Sequence, residues 1–253
     1  GVGNPTPFFV GWENSIIFGK TQKQLTMFAK EIYISRRERL MQKIDNGLIL
    51  LLGNSEASSN YPANTYKFRQ DSSFLYFFGL NEPDLAAILD PQSGDQILFG
   101  NNVDMDDIIW MGPQPSVASQ AAEVGVEKSA PLSQLKQVIE AAQRQGRQVH
   151  FLPPYRHANK LWLEELTGIR VAQLAAQVSV ELIKAIVALR SVKSALEIAE
   201  IERACDIGYE MHTTAMRMCK PGVKEQLIAG TIEGIALAHG AGVSFPTILS
   251  MNG

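Results

Sequence analysis

A purely apolar run, Leu48-Ile-Leu-Leu-Leu52, sits between Gly47 and Gly53. Its length suits a strand, and a strand without a polar position has both faces covered, so the run predicts an interior strand of a sheet packed on two sides. Ahead of it, Phe28 to Ile44 is rich in helix formers. Leu40, Met41 and Ile44 make an apolar stripe with Arg36, Arg37 and Glu38 opposite, which predicts a helix with its arginines in water, ended by Gly47.

After the polar loop Gly53 to Asn64 comes YKFRQDSSFLYFFGLNEPDLAAILD, Tyr66 to Asp90. Its six aromatics, Tyr66, Phe68, Phe74, Tyr76, Phe77 and Phe78, carry too much apolar area for a solvated loop. The residues alone predict an aromatic-rich core hairpin, with Leu85 to Leu89 as a strand. Turn residues Asp90 to Asp95 then separate Leu85–Leu89 from Ile97–Phe99, which predicts a second hairpin. Asn101 to Asp107 is acidic, but without the D-x-D-x-D-G order or a distal Glu it is expected to be a surface loop rather than a calcium site. Leu132, Leu135, Val138, Ile139 and Ala142 mark a helix between Pro131 and Gly146, followed by a strand at Gln148 to Leu152 and a helix at His157 to Leu166. This alternation predicts an α/β arrangement up to about Val178.

The pattern changes after that point. Val180 to Leu189 is an apolar helix, and Ser194 with Glu197 has the spacing of a capping box that opens a long helix. Ile201, Ala204, Gly208, Met211, Ala215 and Met218 form one stripe expected to face a core. Pro221-Gly222 stops it. Lys224 to His239 reads as a further helix whose Gly230 and Gly234 would allow close approach of a neighbour, and Ser244 to Ser250 reads as the start of a strand.

Composition changes this picture little. The chain has 253 residues and is 45% hydrophobic, which favours two modest domains. Twenty-three basic against 26 acidic residues give a net charge of −3 with no basic block, which argues against a nucleic-acid partner. No apolar run approaches the roughly 20 residues of a membrane helix, so a soluble, cytoplasmic protein with no membrane partner is expected. Cys205 and Cys219 fit neither a C-x-x-C motif nor a zinc-finger pattern and are expected to be free, buried thiols. The first residues lack the basic region and A-x-A site of a signal peptide. Met27 is the first methionine. Residues 1–26 are accordingly expected to be an upstream or disordered leader.

Motifs of common chemistries are absent: no G-x-S-x-G, H-E-x-x-H, P-loop or G-x-G-x-x-G occurs. His150, His157, His212 and His239 are scattered, which suits structural or solvent-facing roles. Glu197, Glu200 and Glu202 sit where a helix start welcomes negative charge.

Two stretches carry a sharper signal. R-Q-D-S-S-F-x-Y-F-x-G-x-N-E-P-D, from Arg69 to Asp84, resembles the signature of the N-terminal domain of Xaa-Pro aminopeptidases, the aminopeptidase P branch of the creatinase/prolidase family. R-S-V-K-S-A-L-E-I-A-E-I-E-R-A, C-K-P-G-V-K-E and A-H-G-A-G-V-S-F-P-T-I-L-S-M-N-G resemble the start of the same family's pita-bread catalytic domain. The resemblance implies an α/β creatinase-like domain with a mixed sheet flanked by helices at 27–178, a linker helix region at 179–194, and the first helices and strand of an incomplete α+β pita-bread domain at 195–253. It also implies a metalloaminopeptidase that releases an N-terminal residue preceding proline, acting on peptides with proline in second position and assembling as a homo-oligomer, a dimer or tetramer. Two divalent metal ions, manganese above all, are implied for the full-length enzyme. In the family their ligands, two Asp, one His and two Glu, lie beyond the motif that ends here in Asn252-Gly253, so no catalytic or metal-binding residue is expected within this chain, which is expected to be an inactive fragment. Trp110, beside Met111-Gly112-Pro113, resembles a loop that projects toward a catalytic cleft, often a neighbour's, which implies substrate or subunit contact. Prolidase or creatinase relatives, and a non-catalytic, chaperone-like pita-bread binding protein, are the alternatives.

Overall fold

The elements, in chain order, begin with α1 (Lys30–Met41), β1 (Leu48–Leu52), β2 (Ser58–Tyr61), β3 (Asn64–Thr65) and α2 (Ser72–Phe78). There follow β4 (Ala86–Leu89), β5 (Gln96–Phe99), α3 (Met105–Met111), α4 (Val117–Glu123) and β6 (Lys128–Ala130). After a 3-10 turn, Leu132–Gln134, come α5 (Leu135–Arg144), β7 (Val149–His150), α6 (His157–Thr167), α7 (Val171–Gln177) and α8 (Val180–Ser191), and then α9 (Ala195–Met218) and α10 (Glu225–Ala238). This computed structural model describes residues 26–240 and 242–251, so the expected leader falls outside the described residues except for Thr26, which is buried. The chain divides into two compact units, one ending at Leu189 and the other starting at Arg190.

The first unit is an α/β fold around a mixed five-stranded sheet in the order β6-β5-β4-β1-β7. β1 runs antiparallel to β4 and parallel to β7, and β4–β5 is the expected hairpin, with Ile88 opposite Ile97. Side chains alternate across a strand. Ile49 and Leu51 therefore face one cluster, with Leu40 of α1, the phenylalanines of α2 and Leu182, Ile186 and Leu189 of α8. Leu48 and Leu50 face the other, with Leu135 and Ile139 of α5, Leu163 and Leu166 of α6 and Leu174 of α7. Two covered faces are the reason β1 needs no polar position.

The aromatic stretch is a helix, not a hairpin. Asp71 caps α2 by accepting from the Ser73 and Phe74 amides, both at 2.9 Å. Phe74, Phe77 and Phe78 recur at helical spacing and are fully buried. Gly79 ends the helix at φ +68°, and any side chain there would collide with the Tyr33 ring. Aromatic area measures burial but not period, so it does not distinguish a helix from a hairpin.

The arginines of α1 are likewise buried rather than wet. The Arg37 guanidinium is fully covered and donates to Phe77 O (2.9 Å), Val124 O (2.7 Å), Gly125 O (3.2 Å) and Gln96 Oε1 (2.6 Å). Burial, opposed by the nearby Glu38 charge, lowers its pKa to about 10. Arg36 lies 4.0 Å from the Tyr76 ring centroid and donates to Tyr76 O at 2.8 Å. Neither arginine could be assigned to the core by periodicity, because the backbone carbonyls that receive them come from residues far along the chain.

In the second unit, Ser194 and Glu197 form the expected capping box of α9. No residue of α9 is buried, contrary to the expected core-facing stripe: α10 partly covers Gly208, Met211, Ala215 and Met218, whereas Ile201 and Ala204 remain exposed. Nothing approaches the Cβ positions of Gly230 or Gly234 within 4 Å, so these glycines admit no close neighbour. Ser244 to Ser250 forms no strand, since no described segment offers it a ladder partner. Cys205 and Cys219 are exposed, not buried, because the helix that carries them turns that side to solvent.

Candidate functional site

The register of the sheet places the ends of several strands along one edge. Leu52 pairs with Ala86, Ala86 with Phe99, and Phe99 with Ala130, while Ile49 pairs with His150. The segments after β1, β5 and β7 therefore leave the sheet on the same side, with strands β5 and β7 themselves three spacings, roughly 14 Å, apart. Open sheets commonly place ligand-contacting loops at such an edge.

The segment after β5 carries Trp110. Asp104 and Asp107 form a capping box at the start of α3, with Asp107 N–H donating to Asp104 Oδ1 at 2.9 Å. Gly112 closes it at φ +77°, a conformation that suits glycine, and Pro113 and Pro115 stiffen the return. The acidic run expected to be only a loop thus supplies a helix cap. Trp110 is 88% exposed, and Met105 and Ile109 on the same short helix are 69% and 72% exposed. A core role for this tryptophan is thereby excluded. Sequence reasoning singled out Trp110 but passed over Met105 and Ile109, whose only signal was apolar identity in a segment too short for its period to register.

The segments after β1 and β7 are joined by a buried polar network. Asn54 N–H donates to Gln70 Oε1 at 2.7 Å, and its carboxamide donates to Arg69 O at 2.9 Å and to the Tyr155 hydroxyl at 3.0 Å. Gln70 in turn donates to Glu82 O at 2.8 Å. Arg156 donates to Ser55 O at 3.1 Å. Three residues of the motif thus have structural work: Gln70 clamps two loops, Asp71 caps α2 and Gly79 ends it. Tyr155 presents its ring to solvent at the rim of a small crevice shared with Asn159, Asp71 and Pro153.

Residues 33–151 match the family described as aminopeptidase P, N-terminal domain. The chain is similar to the Xaa-Pro aminopeptidase of Escherichia coli K12, 27% identical over 226 residues that cover 86% of this chain and 51% of that protein. It is also similar to Xaa-Pro aminopeptidase 3 of Rattus norvegicus, 26% identical over 73% of this chain and 38% of that protein. Among solved structures, aminopeptidase P from E. coli in its low-pH form superposes with a TM-score of 0.68 over 85% of this chain and 51% of that one, at 24% identity. Proline aminopeptidase P II from Yersinia pestis gives a TM-score of 0.68 over 84% of this chain. The chain spans about half the length of the E. coli relative and 38% of the rat one, and a zinc-substituted E. coli aminopeptidase P with product is among the similar structures.

Among the described residues of both units, no group of three or more His, Cys, Asp or Glu side chains is placed to hold an ion. His150 is buried in a structural role, His157 and His212 face solvent, and His239 pairs with Glu210 at 3.1 Å on an exposed surface. The donor set therefore does not fit a two-metal centre, which needs several converging carboxylates. No single described helix is long and apolar enough to cross a membrane.

Proposed function

We propose that this chain is the N-terminal part of an Xaa-Pro aminopeptidase, an enzyme that releases an N-terminal residue preceding proline. The observation that carries the reading is the extent of similarity to the E. coli Xaa-Pro aminopeptidase, which covers 226 residues and so runs past the N-terminal domain into the second unit. In this reading residues 27–178 are the N-terminal domain, 179–194 the linker region and 195–253 the start of a pita-bread catalytic domain, with residues 1–26 a leader. Two divalent ions, manganese in this reading, are held by residues outside this chain, where they would activate a water and polarise the scissile carbonyl. The chain by itself is then inactive. Trp110 serves peptide or subunit contact in a cytoplasmic dimer or tetramer, which its exposure supports.

Calorimetric titration of the 253-residue chain with manganese, alongside hydrolysis of a peptide with proline in second position, tests this. No stoichiometric binding and no turnover are expected, with both gained by a protein that continues past Gly253 through a catalytic domain. Tight binding of one ion per chain, or chelator-sensitive turnover by the chain alone, would overturn the placement of the active site. An extended protein that binds peptides without cleaving them would favour the non-catalytic relative.

A further inference from the structure

We propose that Asn102 is the positioning residue for Trp110, setting where the arm 103–116 presents the indole. This rests on the reading of Trp110 as a contact residue. The arm leaves the sheet after β5 and returns at Val117, the first residue of α4. Its two ends are held together at Val117 in two ways. Val117 N–H donates to Asn102 Oδ1 at 2.8 Å. The Val117 side chain, 5% exposed, packs against Gly100, where an added Cβ would come within 3.0 Å of it.

The first bond is unusual in its reach. A helix start leaves its leading amides without partners, and residues at or next to the cap commonly supply the acceptors. Ser116 accepts from Ser119 N–H at 3.1 Å in that manner. The Val117 amide takes its acceptor from fifteen residues back, so one carboxamide both satisfies α4 and closes the base of the arm. Asn101, its neighbour, accepts from Leu132 N–H at 3.2 Å and fixes the outgoing root to the turn before α5. Consecutive asparagines thus tie the outgoing root to two different elements, the start of α4 and the turn before α5.

Between these roots, α3 is set by its own capping box and by Gly112, and its Met105, Ile109 and Trp110 side chains lie in solvent. Such an arm is preformed at the tip and oriented at the base. Releasing the base would leave the helix and its indole present but spread over many positions, a loss of pre-organisation rather than of contact chemistry. Aspartate at 102 would keep an acceptor oxygen at the same reach, beside a helix start that tolerates negative charge.

The test uses the full-length enzyme carrying Asn102→Ala, Asn102→Asp, Trp110→Ala and the N102A/W110A double change. The readouts are exchange of the Val117 amide and the separate KM and kcat values for an Xaa-Pro peptide. N102A is expected to speed Val117 exchange about tenfold or more while the β1 and β4 amides stay slow. It should also raise KM severalfold with kcat little changed, as W110A does, and the double variant should be no worse than W110A. N102D should restore both readouts, and it stands in as the folded comparison if N102A proves unstable. A wild-type KM for N102A beside a raised KM for W110A would overturn the positioning role and leave Trp110 standing. An unchanged KM and assembly for W110A would overturn the Trp110 reading itself, and failure of N102D to restore Val117 protection would overturn the role of the acceptor oxygen.

Discussion

The Nδ1 atom of His150 lies 2.7 Å from the Ser179 hydroxyl, and both residues are buried. Nε2 of the same ring is 2.9 Å from Asn46 O. A carbonyl only accepts, so Nε2 carries a proton, and in a singly protonated ring Nδ1 then accepts from Ser179. Ser179 also accepts from Leu182 N–H at 3.1 Å, which makes it the cap of α8. One imidazole therefore ties β7 to the turn before β1 and to the helix in which the first unit ends.

Removing that ring should be felt at both ends. His150→Phe is expected to cost about 2–3 kcal/mol, because the Asn46 carbonyl is left unpaired and the Ser179 proton loses its acceptor. Ser179→Ala should cost about 1 kcal/mol through the lost cap. The double variant should fall short of the sum by about 1 kcal/mol in urea unfolding. Strict additivity would show that the His150–Ser179 bond contributes nothing.

Arg37→Ala should be among the most damaging single changes in the first unit, at about 3–5 kcal/mol. It vacates a large side-chain volume and strips donors from Phe77 O, Val124 O, Gly125 O and Gln96 Oε1. Lysine should not rescue it, since a single ammonium cannot spread its donors as the guanidinium fork does. Calorimetric Tm values near wild type for Arg37→Lys would count against the fork as the reason.

Asp90 gives the chain an acid-sensitive contact. Burial would raise its carboxyl, but hydrogen bonds from Arg147 and from the Gln92 and Ser93 amides, with the Arg147 charge, outweigh burial and hold it below its ordinary value. Arg147 also donates to Gly47 O at 3.0 Å, so the pair fixes the turn before β1. With the folded pKa below the unfolded one, the contribution is complete above the unfolded pKa and is lost as pH falls through the folded one. Asp90→Asn should therefore lower stability at neutral pH by about 1–2 kcal/mol and flatten the decline under acid. Parallel pH profiles for the two proteins would refute the assignment.

Trp110→Ala should leave unfolding free energy within about 0.5 kcal/mol of wild type, since the ring is 88% exposed. In the full enzyme it should weaken peptide binding or assembly. Sedimentation together with peptide KM measures both, and a marked loss of stability with neither changed would refute the contact role.

The apolar run of β1 and the turn between β4 and β5 were legible because each depends on neighbours in sequence, as did the Ser194–Glu197 capping box. The motif from Arg69 to Asp84 also carried the family resemblance, yet not what its residues do: Gln70 is a clamp because Asn54 and Glu82 happen to meet it in space. Trp110 could be noticed in the sequence, whereas its exposure and its companions Met105 and Ile109 could not, since they depend on what the rest of the fold leaves uncovered.

The sequence by itself determined the class of fold, the order of its strands and helices through most of the first unit, and a resemblance to a known family, because periodicity and turn chemistry act over a few residues. Only the tertiary structure decided that Arg36 and Arg37 are buried, that α2 is a helix, and that Asn102 reaches Val117. Each of these turns on a partner many residues away, and the free energy of such a contact depends on which groups the fold brings within hydrogen-bonding or packing distance.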